Sequence, residues 1–301
     1  MLQQTTVAAV IPYFLRWMKN LPDVQTLAGA DEQDVMALWQ GLGYYSRARN
    51  LRRAAQEVTV KYGGAFPHDP GLLRELPGFG EYTAGAVAAF AFDHPSVVLD
   101  ANIIRVLARL GDIRAPVDTA AGRAGIERLA RALWPARGGG RAFTGALMEL
   151  GALICRPRNP LCHQCPAHVF CQTTRPEALP VKKPRPRVES LRDCRSVILH
   201  GKMVALIPSH GPRWRGLWLL PETAPPHTSS PAFIEKFSVT RFRVSMEISQ
   251  GAHPPPAARF FPLDALPPMP SPHARALKRW MKAHTPPHPP SRPKTKKMTE
   301  C

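Results

Sequence analysis

The sequence predicts two domains, a mainly α-helical domain followed by a smaller α+β domain. From residue 3 to about residue 154, apolar residues recur at helical spacing between short Gly/Pro breaks, without strand-type alternation. A stretch rich in Pro, Lys and Arg follows, and beyond it the apolar period shortens to that of strands. With 301 residues and 44% hydrophobic content, the chain can build a core in each domain.

The predicted helices of the first domain have clear apolar faces and Gly or Pro breaks between them. They span residues 3–19, 32–39, 45–62, 80–91, 101–110, 120–133 and 141–154. We assign residues 1–172 to this domain and residues 173–190 to an exposed linker, because the latter have a linker's composition.

The second domain is predicted over residues 191–284. Its strands are expected at 194–199, 203–208, 217–220 and 237–248, and a helix at 272–284. Residues 285–301 are rich in Pro and Lys, which predicts a disordered basic tail. Such a tail is either a nonspecific DNA tether or a solubilising segment.

The charge balance favours a polyanionic partner. Lys and Arg number 40 against 22 Asp and Glu, which gives a net charge of +18 and a pI near 10.3. A generally basic protein is the alternative. No apolar run reaches about 18 residues, so no membrane span is expected. The first residues lack the basic n-region and cleavage pattern of a secretory signal, which predicts an intracellular protein.

Four of the six cysteines lie within 17 residues, in the pattern Cys-x6-Cys-x2-Cys-x5-Cys, directly after a predicted helix. They are Cys155, Cys162, Cys165 and Cys171. In a reducing compartment such crowding indicates metal ligation rather than disulfides. Structural zinc sites usually combine two short Cys pairs, and this loop has one, so the spacing favours an iron–sulfur cluster over zinc or unliganded thiols.

Two further motifs precede the cysteines. LPGFGEYTAGA at residues 76–86 is a Gly-containing turn that opens a helix, so Gly78 and Gly80 would bring free backbone N–H groups close to a phosphate; a simple turn is the alternative. In LDANIIRVLARL, an apolar stretch delivers Asp100 to the start of a helix. By composition Asp100 is either a helix N-cap or a catalytic carboxylate.

The hairpin motif comes first, Asp100 follows it by about 20 residues, and the cysteine loop comes last. This order resembles that of the endonuclease III superfamily of helix-hairpin-helix glycosylases. MLQQTTVAAVIPYF at residues 1–14 and WQGLGYYSRARNL at residues 39–51 resemble its mismatch-specific adenine DNA glycosylase (MutY) branch. The resemblance extends to about residue 284. It implies a helix-hairpin-helix glycosylase domain with a [4Fe-4S] loop, and double-stranded DNA with A:8-oxoguanine or A:G mismatches as the partner of a monomeric, cytoplasmic, nucleoid-associated bacterial enzyme of base excision repair.

The resemblance also assigns roles to residues. Asp100 would stabilise the positive charge that develops at the sugar C1′, and Asn102 would support it. Tyr82 stands where strand-cutting relatives carry a Schiff-base lysine, which implies a monofunctional enzyme. Gln4 and Tyr44 would wedge into the duplex, although a core aromatic is the alternative for Tyr44 and its neighbour. Arg47 would begin a phosphate-facing basic helix that continues through residues 49, 52 and 53.

The second domain resembles the Nudix-like module that recognises 8-oxoguanine in this family, and RGLWLLPE at 215–222 matches it. A Glu-rich Nudix box is absent from the sequence, so pyrophosphate hydrolysis is not expected. Where the family shows Phe-Ser-His or Phe-Thr-His, this sequence has Val239, Thr240 and Arg241. Lesion discrimination is therefore expected to differ.

One expected group is missing. The family protonates adenine N7 with a Glu two residues before the Met of MLQQT, and this sequence begins at that Met. The loss predicts impaired activity. Two explanations for the loss are a mis-set translation start and a truncated copy. A mismatch-binding protein without catalysis follows from truncation. An endonuclease III-like glycosylase/lyase is opposed by Tyr82 and the second domain, and a zinc transcription factor is a distant alternative.

Overall fold

A computed structural model describes residues 1–2, 5–184, 187–211, 213–224, 231–239 and 241–284 of the chain. The fold divides into two units, Met1–Pro186 and Arg187–Cys301. The first unit is helical, as expected. Its α-helices are α1 (Val7–Asn20), α2 (Val24–Gly29), α3 (Glu32–Trp39), α4 (Ser46–Tyr62), α5 (Pro70–Glu75), α6 (Glu81–Phe92), α7 (Ala101–Leu110), α8 (Ala120–Leu133) and α9 (Gly140–Glu149).

Most helices lie where the sequence predicts them, and α3, α7 and α8 agree to the residue. The predicted helix 3–19 begins later, at Val7. The predicted helix 141–154 changes at Leu150 into a π-helical turn that ends at Ile154. Helices α2 and α5 were not predicted, because six residues are too short to show a period. Each starts at a capping aspartate instead, which is the signal that marks them.

Helix α7 is the centre of the first unit's core. Ile103 and Leu107 are completely buried, as the sequence predicts, and they pack with Ile126 of α8 and Trp134. A second cluster joins α4, α5 and α6 through Val58, Leu73 and small alanines. The two clusters hold the α5–α6 hairpin and the start of α7 in fixed positions.

The segment after the cysteines corrects the prediction of an exposed linker over residues 173–190. Its first part is tied to the first unit: Val117 N–H donates to the Val181 carbonyl and Lys183 N–H to the Asp118 carboxylate. The Leu179 side chain is only 5% exposed. Strand formation already starts at Glu189. Polar composition correctly marks the boundary region but cannot show that its backbone bonds to a helical unit.

The second unit is α+β, as expected. Its elements are β1 (Glu189–Val197), β2 (Leu199–His200), β3 (Met203–Pro208), β4 (Trp218–Leu219), β5 (Phe233–Val239), β6 (Phe242–Gln250), β7 (Arg259–Pro262) and α10 (Ser271–His284). One sheet has the order β1-β6-β5, with β1 parallel to β6. In the other, β3 pairs antiparallel with β2, β4 and β7. The core between them and α10 contains Met246, Ile248 and Trp280.

Two strand predictions need correction. The single strand expected over residues 237–248 is two antiparallel strands, β5 and β6, which meet at the turn that contains Arg241. Strand β7 was not predicted, because its Arg-Phe-Phe-Pro sequence shows no alternation. In the described parts of both units, no helix is long and apolar enough to cross a membrane.

The second unit contains a buried histidine at the start of α10. His273 is completely buried, and its Nδ1 accepts a hydrogen bond from Leu220 N–H at 3.1 Å. Its ring lies edge-on to Trp214, with centroids 5.0 Å apart. Burial, with a smaller contribution from the Arg195 charge, lowers the pKa of His273 to about 3. The folded second unit therefore holds a neutral imidazole at neutral pH.

We expect the second unit to lose stability as the pH falls below about 6.5. Because the folded pKa is depressed, the unfolded state binds more protons between about pH 3 and 6.5, so the free energy of unfolding should drop by about 2 kcal/mol from pH 7 to pH 5. Amide hydrogen exchange in β3 measures it. His273→Gln keeps a hydrogen-bond acceptor without titrating and should flatten the dependence; an unchanged profile in that variant would contradict the assignment.

Candidate active site

Asp100 lies at the point where an extended segment enters α7. Its Oδ1 accepts the N–H of Ile103 at 2.7 Å, which is the N-cap contact, and its Oδ2 accepts Asn102 Nδ2 at 3.2 Å. The N-cap interpretation of Asp100 is thus correct, and it does not compete with the catalytic one. Capping uses one of the two carboxylate oxygens, and it fixes the half-buried Asp100 side chain in place.

Asn102 connects Asp100 to a buried arginine. The Asn102 Oδ1 accepts Arg105 Nη2 at 3.0 Å, so both ends of the amide are used. Arg105 is 7% exposed and also donates to the carbonyls of Gly151 at 2.6 Å and Cys155 at 2.7 Å. A continuous chain of hydrogen bonds therefore runs from the Asp100 carboxylate to the start of the cysteine loop.

A second arginine, one helical turn later, holds the loop itself. Arg109 is 1% exposed, and its guanidinium donates to the carbonyls of Cys155, Arg156, Pro157 and Leu179 at 2.8–3.3 Å. Its Nη1 also lies 3.3 Å from the Cys155 Sγ. All five N–H donors of an arginine form a rigid fork, which suits a cluster of carbonyls. The Arg109 side chain therefore joins α7 to the start of the cysteine loop and to the segment that follows the loop.

Tyr82 lies in the first turn of α6, within electrostatic range of Asp100. Burial raises the pKa of the Tyr82 hydroxyl, and the Asp100 charge raises it further. The tyrosine also lines a groove of about 930 Å³ between α1, α4 and α6. The groove is mostly apolar. Its lining includes Val10, Ile11, Phe14, Trp39, Leu51, Phe79 and Tyr82.

The hairpin turn between α5 and α6 depends on one of its two glycines. Gly78 has a φ of +82°, and a Cβ there would lie 2.6 Å from the Cβ of Asn50. Only glycine fits this conformation and this approach. Gly80 is different: it is the N-cap of α6 in an extended conformation, with open space around its Cα. That space leaves the N-terminus of α6 accessible to a ligand.

The adjacent tyrosines have opposite environments. Tyr45 is 4% exposed and belongs to the core, whereas Tyr44 is 57% exposed in a left-handed conformation with a φ of 48°. The core interpretation thus applies to Tyr45 and not to Tyr44. A bulky residue with positive φ is uncommon and is typical of functional loops.

Arg47, which is expected to begin a phosphate-facing helix, has contacts within the protein itself. Its guanidinium lies over the rings of Trp39 and Tyr44, 5.2 and 5.6 Å from their centroids, and donates to the Gly43 carbonyl. Arg52 is also engaged, with Nε 2.6 Å from the Ala30 carbonyl. Sequence shows the charge but not these internal acceptors.

The remaining predicted residues are distributed differently. Gln4 and Thr240 lie outside the described residues. Arg241 belongs to the second unit, where it pairs with Glu189 at 3.3 Å and lies over the Phe242 ring.

The four loop cysteines are free and partly buried. The thiols of Cys155, Cys162 and Cys165 each raise the pKa of Cys171, although burial raises it more, so the four thiols are near one another. Nearby, Arg156 Nε is buried without a hydrogen-bond partner among the described residues. Among the described residues, no group of three or more Cys, His, Asp or Glu side chains is arranged so that it could hold a metal ion. The donor set, four soft sulfurs on one loop, nevertheless suits zinc or an iron–sulfur cluster.

Sequence reasoning missed Arg105 and Arg109. The available signal was their spacing, five and nine residues after Asp100 within an otherwise apolar helix. Two arginines at i and i+4 in such a helix lie on one face. What the spacing cannot show is that this face meets the carbonyls of a loop about 50 residues later.

Gly151 provides a test of this contact between helices. A Cβ at Gly151 would lie 2.6 Å from the Asn102 Cβ and 3.1 Å from its backbone. We therefore expect Gly151→Ala to destabilise the first unit by about 1–3 kcal/mol. Gly145→Ala is the control, because nothing lies within 4 Å of that position, and it should stabilise α9 by about 0.5–1 kcal/mol. Urea denaturation compares them; equal stabilities would contradict the tight contact.

Comparison with known proteins agrees with this geometry. Residues 1–135 match the family model of the HhH-GPD superfamily base excision DNA repair protein. Residues 1–135 are thus similar to the helix-hairpin-helix superfamily of base excision repair proteins. Within that superfamily the chain is similar to adenine DNA glycosylases, which confirms the MutY resemblance.

Three relatives illustrate this similarity, all described as adenine DNA glycosylase. The rat protein is 47% identical over 174 residues, which cover 57% of this chain and 33% of the relative. The human protein is 45% identical over the same length, covering 57% and 32%. The protein of Buchnera aphidicola subsp. Baizongia pistaciae is 38% identical over 179 residues, covering 58% and 48%. The matched part of this chain thus spans a third to a half of these relatives.

Among solved structures, a thermostable thymine-DNA glycosylase aligns with a TM-score of 0.48 and 26% identity, covering 57% of this chain and 78% of its own.

Proposed function

We propose that the protein is a monofunctional adenine DNA glycosylase that removes adenine paired with 8-oxoguanine or guanine in double-stranded DNA. The observation that carries the proposal is the Asp100 carboxylate, which Ile103 and Asn102 fix in place and whose charge raises the pKa of Tyr82, a residue that lines the apolar groove. The similarity to adenine DNA glycosylases supports it.

The chemistry follows from the two side chains. As the glycosidic bond breaks, positive charge develops at C1′, and a carboxylate fixed beforehand stabilises it without reorganisation. Tyr82 cannot form an imine with the sugar. Because its pKa is raised, it keeps its proton at neutral pH and can act as a neutral hydrogen-bond donor or acceptor, but not as a phenolate. The expected product is an abasic site in an uncut strand.

The groove lined by Trp39 and Tyr82 is the candidate receptor for the extruded base, since flipped bases are held between aromatic and apolar side chains. Tyr44, exposed and conformationally fixed, is the candidate wedge, and Gln4 is expected beside it. The turn at Gly78 and Gly80 would hold the DNA backbone at the N-terminus of α6. Recognition of 8-oxoguanine by Thr240 and Arg241 of a Nudix-like second unit remains part of the proposal.

A second candidate function is mismatch binding without catalysis. The observation that favours it is the groove's composition: among the described residues, its lining contains no carboxylate that could protonate the base. Asp23 and Asp31, which cap α2 and α3, do not line the groove. Adenine is a poor leaving group, so release from a groove lining without a general acid should be slower by about 10²- to 10⁴-fold.

The deciding experiment is single-turnover adenine release from a duplex with A opposite 8-oxoguanine, scored by alkaline cleavage at the abasic site. Release at an ordinary enzymatic rate supports the glycosylase and shows that another group replaces the acid. Tight duplex binding without release selects the binding protein instead. Strand cleavage without alkali would favour the endonuclease III-like alternative.

The cysteine loop is proposed to hold a [4Fe-4S] cluster through Cys155, Cys162, Cys165 and Cys171. Such a cluster supplies four metal–thiolate bonds that fix the loop, and Arg109 orients the backbone at Cys155. The basic residues around the loop would then face phosphates.

We expect Cys162→Ser to abolish the broad absorbance near 400 nm that an iron–sulfur protein shows. Cys194→Ser is the matched control, because Cys194 lies in β1 of the second unit and should leave the spectrum unchanged. A colourless protein with one bound zinc per chain would replace the iron–sulfur proposal by the zinc alternative.

We also expect the enzyme to act as a monomer, in the cytoplasm of a bacterium and on its nucleoid. Its basic residues 285–301 lie outside the described residues.

A further inference from the structure

A second cavity lies on the other side of Tyr82 from the groove. It has a volume of about 370 Å³ and is bounded by α5, the start of α6, the segment before Asp100, and α8. We call it the arginine cavity, because it is lined by Arg74 of α5 and by Arg123 and Arg131 of α8. The catalytic interpretation of Asp100 makes no use of it.

The charges around this cavity are unbalanced. Two acids also line it, Glu81 and Glu127, and Glu127 pairs with Arg123 at 3.5 Å. No carboxylate of the described residues forms an ion pair with Arg74 or Arg131, and both side chains are exposed. Two guanidinium groups from different helices thus reach one opening without internal partners. Arginine is the residue best suited to binding phosphate, because its fork can form two parallel hydrogen bonds.

The walls of the cavity are suited to a sugar rather than to a bare ion. Pro95, Val97 and Leu99 line it in addition to the arginines. Leu99 directly precedes Asp100, and Tyr82 borders both this cavity and the groove. A strand whose nucleotide is presented to Asp100 would therefore run close to the opening.

We propose that the arginine cavity binds a backbone phosphate and its sugar on the DNA strand that carries the extruded nucleotide. The site is separate from the hairpin turn at Gly78. It rests on the proposed function only in that the protein binds duplex DNA. The contact is to the backbone, so it contributes affinity and position but no base specificity.

The test compares arginines on the same helix. Arg131→Gln and Arg74→Gln each remove one cavity charge, and Arg128→Gln removes the same charge from an exposed α8 position that does not line the cavity. Binding of the full chain to a fluorescent duplex is measured between 50 and 200 mM KCl, roughly the range over which phosphate contacts dominate the salt dependence.

We expect Arg131→Gln and Arg74→Gln to weaken binding by about 3- to 10-fold and to reduce the slope of log Kd against log salt by about 1 each. The loss should be equal for a mismatched and a fully paired duplex. Arg128→Gln should change binding less than about 2-fold. Thermal unfolding of each variant confirms that the fold is retained.

Two results would overturn the inference. If Arg131→Gln and Arg74→Gln behave like Arg128→Gln while the parent protein binds DNA, the arginine cavity makes no backbone contact and the proposed function stands. If deoxyadenosine monophosphate or inorganic phosphate binds in the absence of DNA, and the two variants lose only that binding, the cavity takes a free phosphate compound. A parent protein that binds no duplex refutes the proposed function itself.

Discussion

Replacing Asp100 with asparagine is expected to reduce adenine release by about 10³-fold, because the carboxylate that stabilises the charge at C1′ is lost. The fold should be kept. Asparagine caps a helix as well as aspartate does, and only the Asn102 hydrogen bond, worth about 0.5–1.5 kcal/mol, is lost. Single-turnover release and urea denaturation of the same preparations measure the two effects separately.

Asp69→Asn is the matched control for this variant. Asp69 also caps a helix in the first unit, accepting Leu72 N–H at 3.0 Å, but that helix is α5 rather than α7. It should release adenine at the parent rate. Equal rates in the Asp100 and Asp69 variants would mean that Asp100 is a helix cap and nothing more.

The environment of Asp100 shows what a sequence can predict about such a site. An apolar stretch followed by Asp and a strongly amphipathic helix predicts both the N-cap and the bounds of α7, since these depend on neighbouring residues only. The same kind of local information predicts the bounds of α3 and α8 correctly. It does not reveal Arg105 as a partner of Asn102, because that contact is stabilised by carbonyls of a distant loop.

Tyr44 and Tyr45 illustrate a second limit. The two tyrosines are identical neighbours, and the sequence pattern predicts only that one or both pack in the core after a glycine turn. The structure separates them through the backbone: a φ of 48° at Tyr44 turns its side chain outward and leaves Tyr45 in the core. Such conformations are set by the fold around them rather than by propensity. The contacts of Arg47 with aromatic rings are likewise set by the fold, so the sequence shows its charge but not these rings.

Two arginines of the first unit, Arg105 and Arg109, are buried although their charge predicts exposure. A basic chain with +18 net charge is expected to place its arginines toward solvent or nucleic acid. Arg105 and Arg109 instead use their donors to satisfy backbone carbonyls that would otherwise be buried without partners. Arg74 and Arg131, in contrast, are exposed, and they are the arginines proposed to contact the DNA backbone.

The largest expected effect on stability belongs to Arg109. Arg109→Met keeps the apolar stem but leaves the carbonyls of Cys155, Arg156, Pro157 and Leu179 without this donor, and we expect a loss of at least about 3 kcal/mol. Arg109→Lys keeps the charge, yet a single ammonium cannot reach all four carbonyls, so most of the loss should remain.

Arg114→Met is the control for Arg109, since the Arg114 side chain is 78% exposed and pairs only with Asp112, an interaction worth about 0–1 kcal/mol. Urea midpoints give the global effect, and amide exchange at Leu161 and Gln172, whose N–H groups bond to Ile154 and Leu110, reports the loop. If Arg109→Met were as stable as Arg114→Met with the loop amides still protected, the cysteine loop would be held by its own contacts. The hydrogen-bond chain to Asp100 would then depend on Arg105 alone.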